Sequence, residues 1–162
     1  MIKAMKAVTA TLLLTLVSTS AVALRISETF EVSVTLPSAA FHVIPADPGW
    51  IHLEQRLNWN PYTSELSRLR KQFDVKNENG AISARLSFEP YLINGRDTDD
   101  IPLVVTFNNT RLTLDAQEVI SEVDARTGKR VALEIAAVKP GDGYRPGDYY
   151  GNVHMLFEAI VP

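Results

Sequence analysis

Asp97, Asp99 and Asp100 form the densest group of possible ligands in the sequence. Calcium sites need several carboxylate or carbonyl oxygens, but this spacing does not follow an EF-hand loop, so the group reads as a solvated acidic turn. The three histidines, His42, His52 and His154, stand far apart without a ligand-spaced pair, and the chain has no cysteine. That removes disulfides, thiolate nucleophiles and thiolate metal sites, and argues against a histidine-built one. Gly141, Gly143, Gly147 and Gly151 lack the Gly-Lys-Ser or Gly-Lys-Thr ending of a phosphate loop and read as turn and strand-entry residues. No serine sits in a Gly-x-Ser-x-Gly motif, and although distant residues can assemble a triad, no catalytic residue, cofactor site or metal ligand is proposed.

Trp50, Trp59, Tyr62, Tyr91, Tyr144 and Tyr150 could stack on sugars if several shared an exposed face, but such aromatics more often fill a sandwich core or a subunit contact. Arg68-Leu69-Arg70-Lys71 is a short basic run in a chain of net charge −3, and reads as a solvated loop or a salt-bridging patch rather than a nucleic-acid or membrane surface. The chain has 162 residues, 46% hydrophobic and 22% charged, which suits one ordinary domain and excludes a wholly disordered chain.

The elements that must position these residues are strands. From Leu24 to Leu36 the even positions Leu24, Ile26, Phe30, Val32, Val34 and Leu36 are apolar, with Glu28 the one exception, and every odd position is polar. Period-two alternation buries one face of an extended strand, and Pro37 ends the run. The pattern returns at Phe41 to Ile44, Ile51 to Trp59, Phe73 to Lys76, Ala81 to Phe88, Leu103 to Phe107, Arg111 to Leu114 and Val131 to Val138. Between these lie turn signals, among them Asn77-Glu78-Asn79-Gly80, Asn94-Gly95 and Asn108-Asn109. In Glu65 to Arg70 and Gln117 to Ala125 a short helix or turn competes with a strand. The last strand spans Tyr149 to Val161, with Tyr149, Gly151, Val153, Met155, Phe157, Ala159 and Val161 on one face and a mixed face opposite. The opposite face turns apolar at its end, which predicts burial on both sides there. Short strands at this spacing predict an all-β sandwich.

Lys3 and Lys6, the apolar stretch Ala7 to Val17 and the small residues Ala21-Val22-Ala23 follow the order of a secretory signal peptide. The apolar stretch is far shorter than the roughly 20 residues of a spanning helix. Cleavage after Ala23 is predicted; it removes two lysines and makes the mature chain more acidic. No later segment is apolar and long enough for membrane insertion, and without cysteine the exported chain must be stabilised by packing and strand pairing.

Two long alternating strands at the ends of an exported, cysteine-free β domain resemble a pilin of the chaperone-usher pathway. More narrowly, the chain resembles the major subunits of alpha-fimbriae, the coli surface antigen type. The residues that carry this are Phe41-His42-Val43-Ile44-Pro45, Leu57-Asn58-Trp59-Asn60-Pro61, Phe73-Asp74-Val75-Lys76-Asn77 with Gly80-Ala81-Ile82-Ser83-Ala84-Arg85-Leu86, and the stretch from Gly147 through Tyr149, Tyr150 and Gly151 to Phe157. The resemblance implies an incomplete immunoglobulin-like β-sandwich over residues 38–162 with an N-terminal donor strand over residues 24–37. It implies a structural, non-enzymatic subunit of a fimbria at the bacterial cell surface, supporting adhesion and biofilm formation. The partners it implies are a homopolymer of its own copies, a periplasmic pilus chaperone, an outer-membrane usher and a tip adhesin. Donor-strand complementation is a known instance of β-strand addition.

Carried onto this sequence, the donor side chains are Phe30, Val32, Val34 and Leu36, with Ile26 extending the set. Burying four such side chains is worth on the order of 6 to 12 kcal/mol, at roughly 1.5 to 3 each. The final strand, ending at Val161 and Pro162, borders the groove and faces the chaperone, which grips the terminal carboxylate with basic residues. On alternation alone, Leu24 to Leu36 reads first as the opening strand of its own complete sandwich, since most alternating strands pair within their chain, and the resemblance reverses that preference; the first rival for the whole chain is a self-contained secreted carbohydrate-binding module. A periplasmic enzyme or accessory domain is the other rival.

Overall fold

The computed structural model describes residues 40–96 and 99–160. Ile26, Phe30, Val32, Val34, Leu36, Asp97, Val161 and Pro162 therefore lie outside the described residues, as does the segment Leu24 to Pro37. Among the described residues no helix is long and apolar enough to cross a membrane.

The strands are β1 (Phe41–Pro45), β2 (Trp59–Asn60), β3 (Glu65–Leu66), β4 (Leu69–Asn77), β5 (Ile82–Leu86), β6 (Tyr91–Leu92), β7 (Ile101–Phe107), β8 (Thr110–Arg111), β9 (Gln117–Ile120), β10 (Lys129–Ala137) and β11 (Met155–Ala159), with one helix, α1 (Glu122–Thr127). They form an all-β sandwich. One sheet runs β1-β4-β10-β7-β6 with β8 beside β7, the other runs β11-β5-β9, and β2 and β3 make a separate hairpin. Every paired strand is antiparallel to its neighbour.

Alternation decides which side chains meet between the sheets. Phe73 and Val75 of β4, Leu103, Val105 and Phe107 of β7, and Val131, Leu133 and Ile135 of β10 point inward and are buried. They meet Ile82, Ala84 and Leu86 of β5 and Val119 and Ile120 of β9 in a single cluster. The outward positions of β4 and β10 are charged and cross-paired instead. Arg130 grips Asp74 with two hydrogen bonds of 2.7 and 2.8 Å, and Arg68 donates to Glu134 at 2.9 Å.

Turn chemistry fixes the registers. Asn108 and Asn109 both adopt positive φ between Phe107 and Thr110, the two-residue turn whose twist matches a hairpin. The Asn108 amide also donates to the carbonyl of Val119 at 2.7 Å, tying the hairpin to the second sheet. Asn77 is buried, donates to the Ala81 carbonyl and accepts from the Asn79 N–H, closing the turn from β4 to β5. Ser121 caps α1, and Gly128 at positive φ ends it. The contested stretch Gln117 to Ala125 is thus both things in turn, strand β9 and then helix. Glu65 to Arg70 resolves into β3 and the start of β4.

Four sequence expectations need correction. Ile51 to Asn58 is not a strand, and only Trp59 of the expected run enters one, β2: a 3-10 turn at Pro48–Trp50 leads into irregular chain, and the Gln55 amide donates to the carbonyls of Trp50, Leu53 and Glu54. A side chain that satisfies its own local carbonyls favours a turn over a ladder. Arg68 to Lys71 is no loop, since β4 begins at Leu69 and both arginines reach Glu134. Asp99 is not solvated: its side chain is 2% exposed, 3.4 Å from Arg145 and 3.9 Å from Arg96, and it accepts from the Asn94 amide. Finally, β11 is not buried on both sides, because nothing described covers the outer face of the three-stranded sheet and Leu156 and Ile160 stay partly exposed there.

Candidate functional site

The C-terminal segment changes sheets as it runs. Tyr150 exchanges two backbone hydrogen bonds with Ile93, at 2.8 and 2.9 Å, next to β6 of the larger sheet. Four residues later the chain has crossed to the other sheet, where the Ser87 N–H donates to the His154 carbonyl and β11 pairs with β5 from Met155↔Leu86 to Ala159↔Ile82. The crossing depends on Gly151, where an added Cβ would lie 2.0 Å from the Tyr91 carbonyl oxygen. No side chain fits there.

Among the described residues this path leaves β11 as the outermost strand of its sheet and β1 as the outermost strand of the other. Between the two edges lies an apolar groove of about 830 Å³. Phe73, Leu103, Leu133 and Ile135 form its floor, Val43 and Pro45 of β1 one wall, and Val153, Met155 and Phe157 the other. Trp50 and Leu57, from the chain between β1 and β2, close in beside them. These wall residues are half-buried and pack onto the core rather than lying within it. Among the described residues no strand lies between β1 and β11 to cover them.

Among the predicted groove-facing residues, Tyr149, Val153, Met155 and Phe157 turn inward and are half-buried, whereas Gly151 and Ala159 are exposed. Their alternation is interrupted where the chain crosses between the sheets at Gly151. Aromatic contacts run through the floor: Trp50 meets Phe73 at 5.9 Å, Phe73 meets Phe107 at 5.6 Å and Phe107 meets Phe157 at 4.8 Å between ring centroids. Lys71 Nζ lies 4.9 Å from the Trp50 ring centroid. Sequence reasoning missed Leu57 as a wall residue because it assigned Ile51 to Trp59 to a strand, and it had Trp50 only among the aromatics of a core, a subunit contact or a sugar-stacking face.

Titratable chemistry lies elsewhere. The hydrogen bonds from Arg130 hold the Asp74 carboxyl below the usual range and raise Arg130 in turn, and Lys76 does the same to Glu78 by hydrogen bonding. Burial first, and then the charge of Glu65, raises the Tyr144 hydroxyl. Tyr144 stacks edge-on against Trp59 at 5.6 Å, so these two aromatics make an internal contact. Among the described residues no group of three acidic or histidine side chains is placed to hold a metal ion. The groove can take up an extended apolar segment, with floor for its side chains and two strand edges for its backbone.

The family model "CS1 type fimbrial major subunit" matches residues 26–158. No curated protein sequence matches the chain. Among solved structures, the CooA pilin subunit from enterotoxigenic Escherichia coli superposes with a TM-score of 0.63 at 19% identity, over 74% of this chain and 86% of that one. A chain from the structure described as "Chaperone-tip adhesin complex is vital for synergistic activation of CFA/I fimbriae biogenesis" gives a TM-score of 0.46 at 14% identity, over 72% of this chain and 41% of that one. At 19% identity the likeness to the CooA pilin subunit is one of fold.

Proposed function

The chain belongs to the CS1-type fimbrial major subunits and is a structural pilin, and from that premise we propose that it polymerises by donor-strand exchange. In this reading residues 1–23 are a removable export signal, residues 24–37 a donor strand and residues 38–162 the pilin domain. Phe30, Val32, Val34 and Leu36 of one copy, with Ile26 behind them, enter the groove between β1 and β11 of the next. A periplasmic chaperone occupies the groove beforehand, an outer-membrane usher exports the growing fibre, and a tip adhesin begins it. The finished fimbria stands on the cell surface and supports adhesion and biofilm formation.

The observation that supports this reading is the apolar groove that the described residues form between β1 and β11. An unfilled sheet edge beside exposed core is an aggregation hazard in a free subunit, which gives a transient strand lender its physical reason. Because the described strands pair antiparallel throughout, a strand beside β11 that keeps the pattern runs opposite to it, with Leu36 near Tyr149. The test is gel mobility of material sheared from the cell surface, with and without boiling. A ladder stepping by one subunit that collapses on boiling is the expected result. A single monomer band in both lanes, from folded protein, contradicts the reading and favours a self-contained binding module.

A further inference from the structure

At the Ala137 end of β10, Tyr91, Ile93 and Tyr150 are 42%, 51% and 65% exposed, and Val138 is exposed beside them. They share one surface: Ile93 is the direct antiparallel partner of Tyr150, Tyr91 lies two residues along the same face, and the Val138 N–H donates to Pro102, the partner of Tyr91. Contiguous patches of this kind usually mark an interaction surface. The opposite end of the sandwich holds the start of β1, the turn from Asn77 to Gly80, and α1. Phe41 pairs with Asn77 there, and Lys129, just after α1, pairs with Val75. At that end Val123 of α1 is 76% exposed.

We propose that the Tyr91-Ile93-Tyr150 patch of one subunit receives the α1 end of the next copy in the fibre, with Val123 against the patch. This rests on the strand-exchange reading and follows from chain length. A donor strand antiparallel to β11 leaves the groove beside Tyr149 to Gly151, at the edge of the patch. Residues 37–40 then span at most about 14 Å before the body of the donor copy begins at Phe41. The end of that body carrying Phe41 and α1 must therefore lie against the end of the acceptor carrying Tyr150. The contact is head-to-tail, using two different surfaces, and so repeats along a fibre.

A chain without cysteine allows a direct test. The full-length protein carrying Val123→Cys and Tyr150→Cys is assembled on cells, sheared, treated with a short bis-maleimide and boiled. Within one subunit the two sites lie at opposite ends of nine-residue β10, about 27 Å apart along the strand, so the reagent joins only neighbouring copies. The expected result is a ladder that survives boiling, and the pair Glu122→Cys with Ile93→Cys gives the same ladder independently of Tyr150. An unboiled ladder accompanied by boiled monomer for both pairs overturns the contact alone. A boiled band off the subunit series marks a different occupant and also overturns it. Loss of the unboiled ladder from the unsubstituted protein overturns the strand-exchange reading and this contact with it.

Discussion

The ring of Phe157, in the last strand of the three-stranded sheet, lies 4.8 Å from the ring of Phe107, which is fully buried in the other sheet. This contact crosses the sandwich at the foot of the open groove, so Phe157 belongs to the core and to the groove wall together. Phe157→Asp places a charge against Phe107 and Ala84, with no partner for it. The expected outcome is a strong reduction in subunit recovered from the periplasm. Normal periplasmic levels of this variant reject the role.

Gly151 and Gly141 make a matched pair. A Cβ at Gly151 would overlap the Tyr91 carbonyl oxygen, while one at Gly141 meets nothing within 4 Å. Gly151→Ala should lower the denaturation midpoint or prevent recovery, because backbone must move, and Gly141→Ala should stay within about 0.5 kcal/mol of the parent. Equal urea midpoints for the two variants would show that the crossing between sheets does not depend on that approach.

The Asn108-Asn109 turn separates backbone from side-chain effects. Asn109 contributes only its positive φ, which glycine adopts freely, so Asn109→Gly should be neutral or slightly stabilising. Asn108 also anchors the Val119 carbonyl, and Asn108→Gly should cost about 1 kcal/mol through that lost hydrogen bond. Urea denaturation of both variants measures the difference.

Acid should weaken the Asp74–Arg130 pair in a defined direction. Since Arg130 lowers the Asp74 carboxyl in the folded chain, the carboxylate contributes stability above its unfolded value, near 3.8, and that contribution disappears as pH falls through the lower folded value. Asp74→Asn should therefore be less stable than the parent at neutral pH and converge with it in acid. Parallel pH profiles for the two would contradict this.

Much of the fold was legible because turn residues and alternation agree. Asn108-Asn109 marks a hairpin, Asn77 to Gly80 marks the turn by which the chain passes from β4 in one sheet to β5 in the other, and the buried positions of β4, β7 and β10 follow period two. The stretch from Ile51 to Trp59 misled because most of its alternation, Ile51, Leu53 and Leu57 with polar residues between, occurs in chain that borders the groove without a ladder partner, and only Trp59 pairs, with Leu66. Periodicity reports which way side chains face, not whether a backbone neighbour exists. Asp99 was illegible for another reason: its burial depends on Arg145, far along the chain, and no local pattern records that pairing. The groove wall on β11 could be read from the alternation of Val153, Met155 and Phe157, but the break at Gly151 is set by Tyr91 and has no local signature.

The central claim is that the even-numbered face of residues 26–36 fills the groove of a neighbouring copy. It is tested most directly by comparing Val34→Asp with Ser33→Asp, reading the unboiled ladder of surface-sheared fibres and the chaperone-bound subunit in the periplasm. The account predicts that Val34→Asp abolishes the ladder while chaperone-bound subunit is still recovered, and that Ser33→Asp yields a ladder close to that of the parent. Equal ladders from the two variants would contradict it.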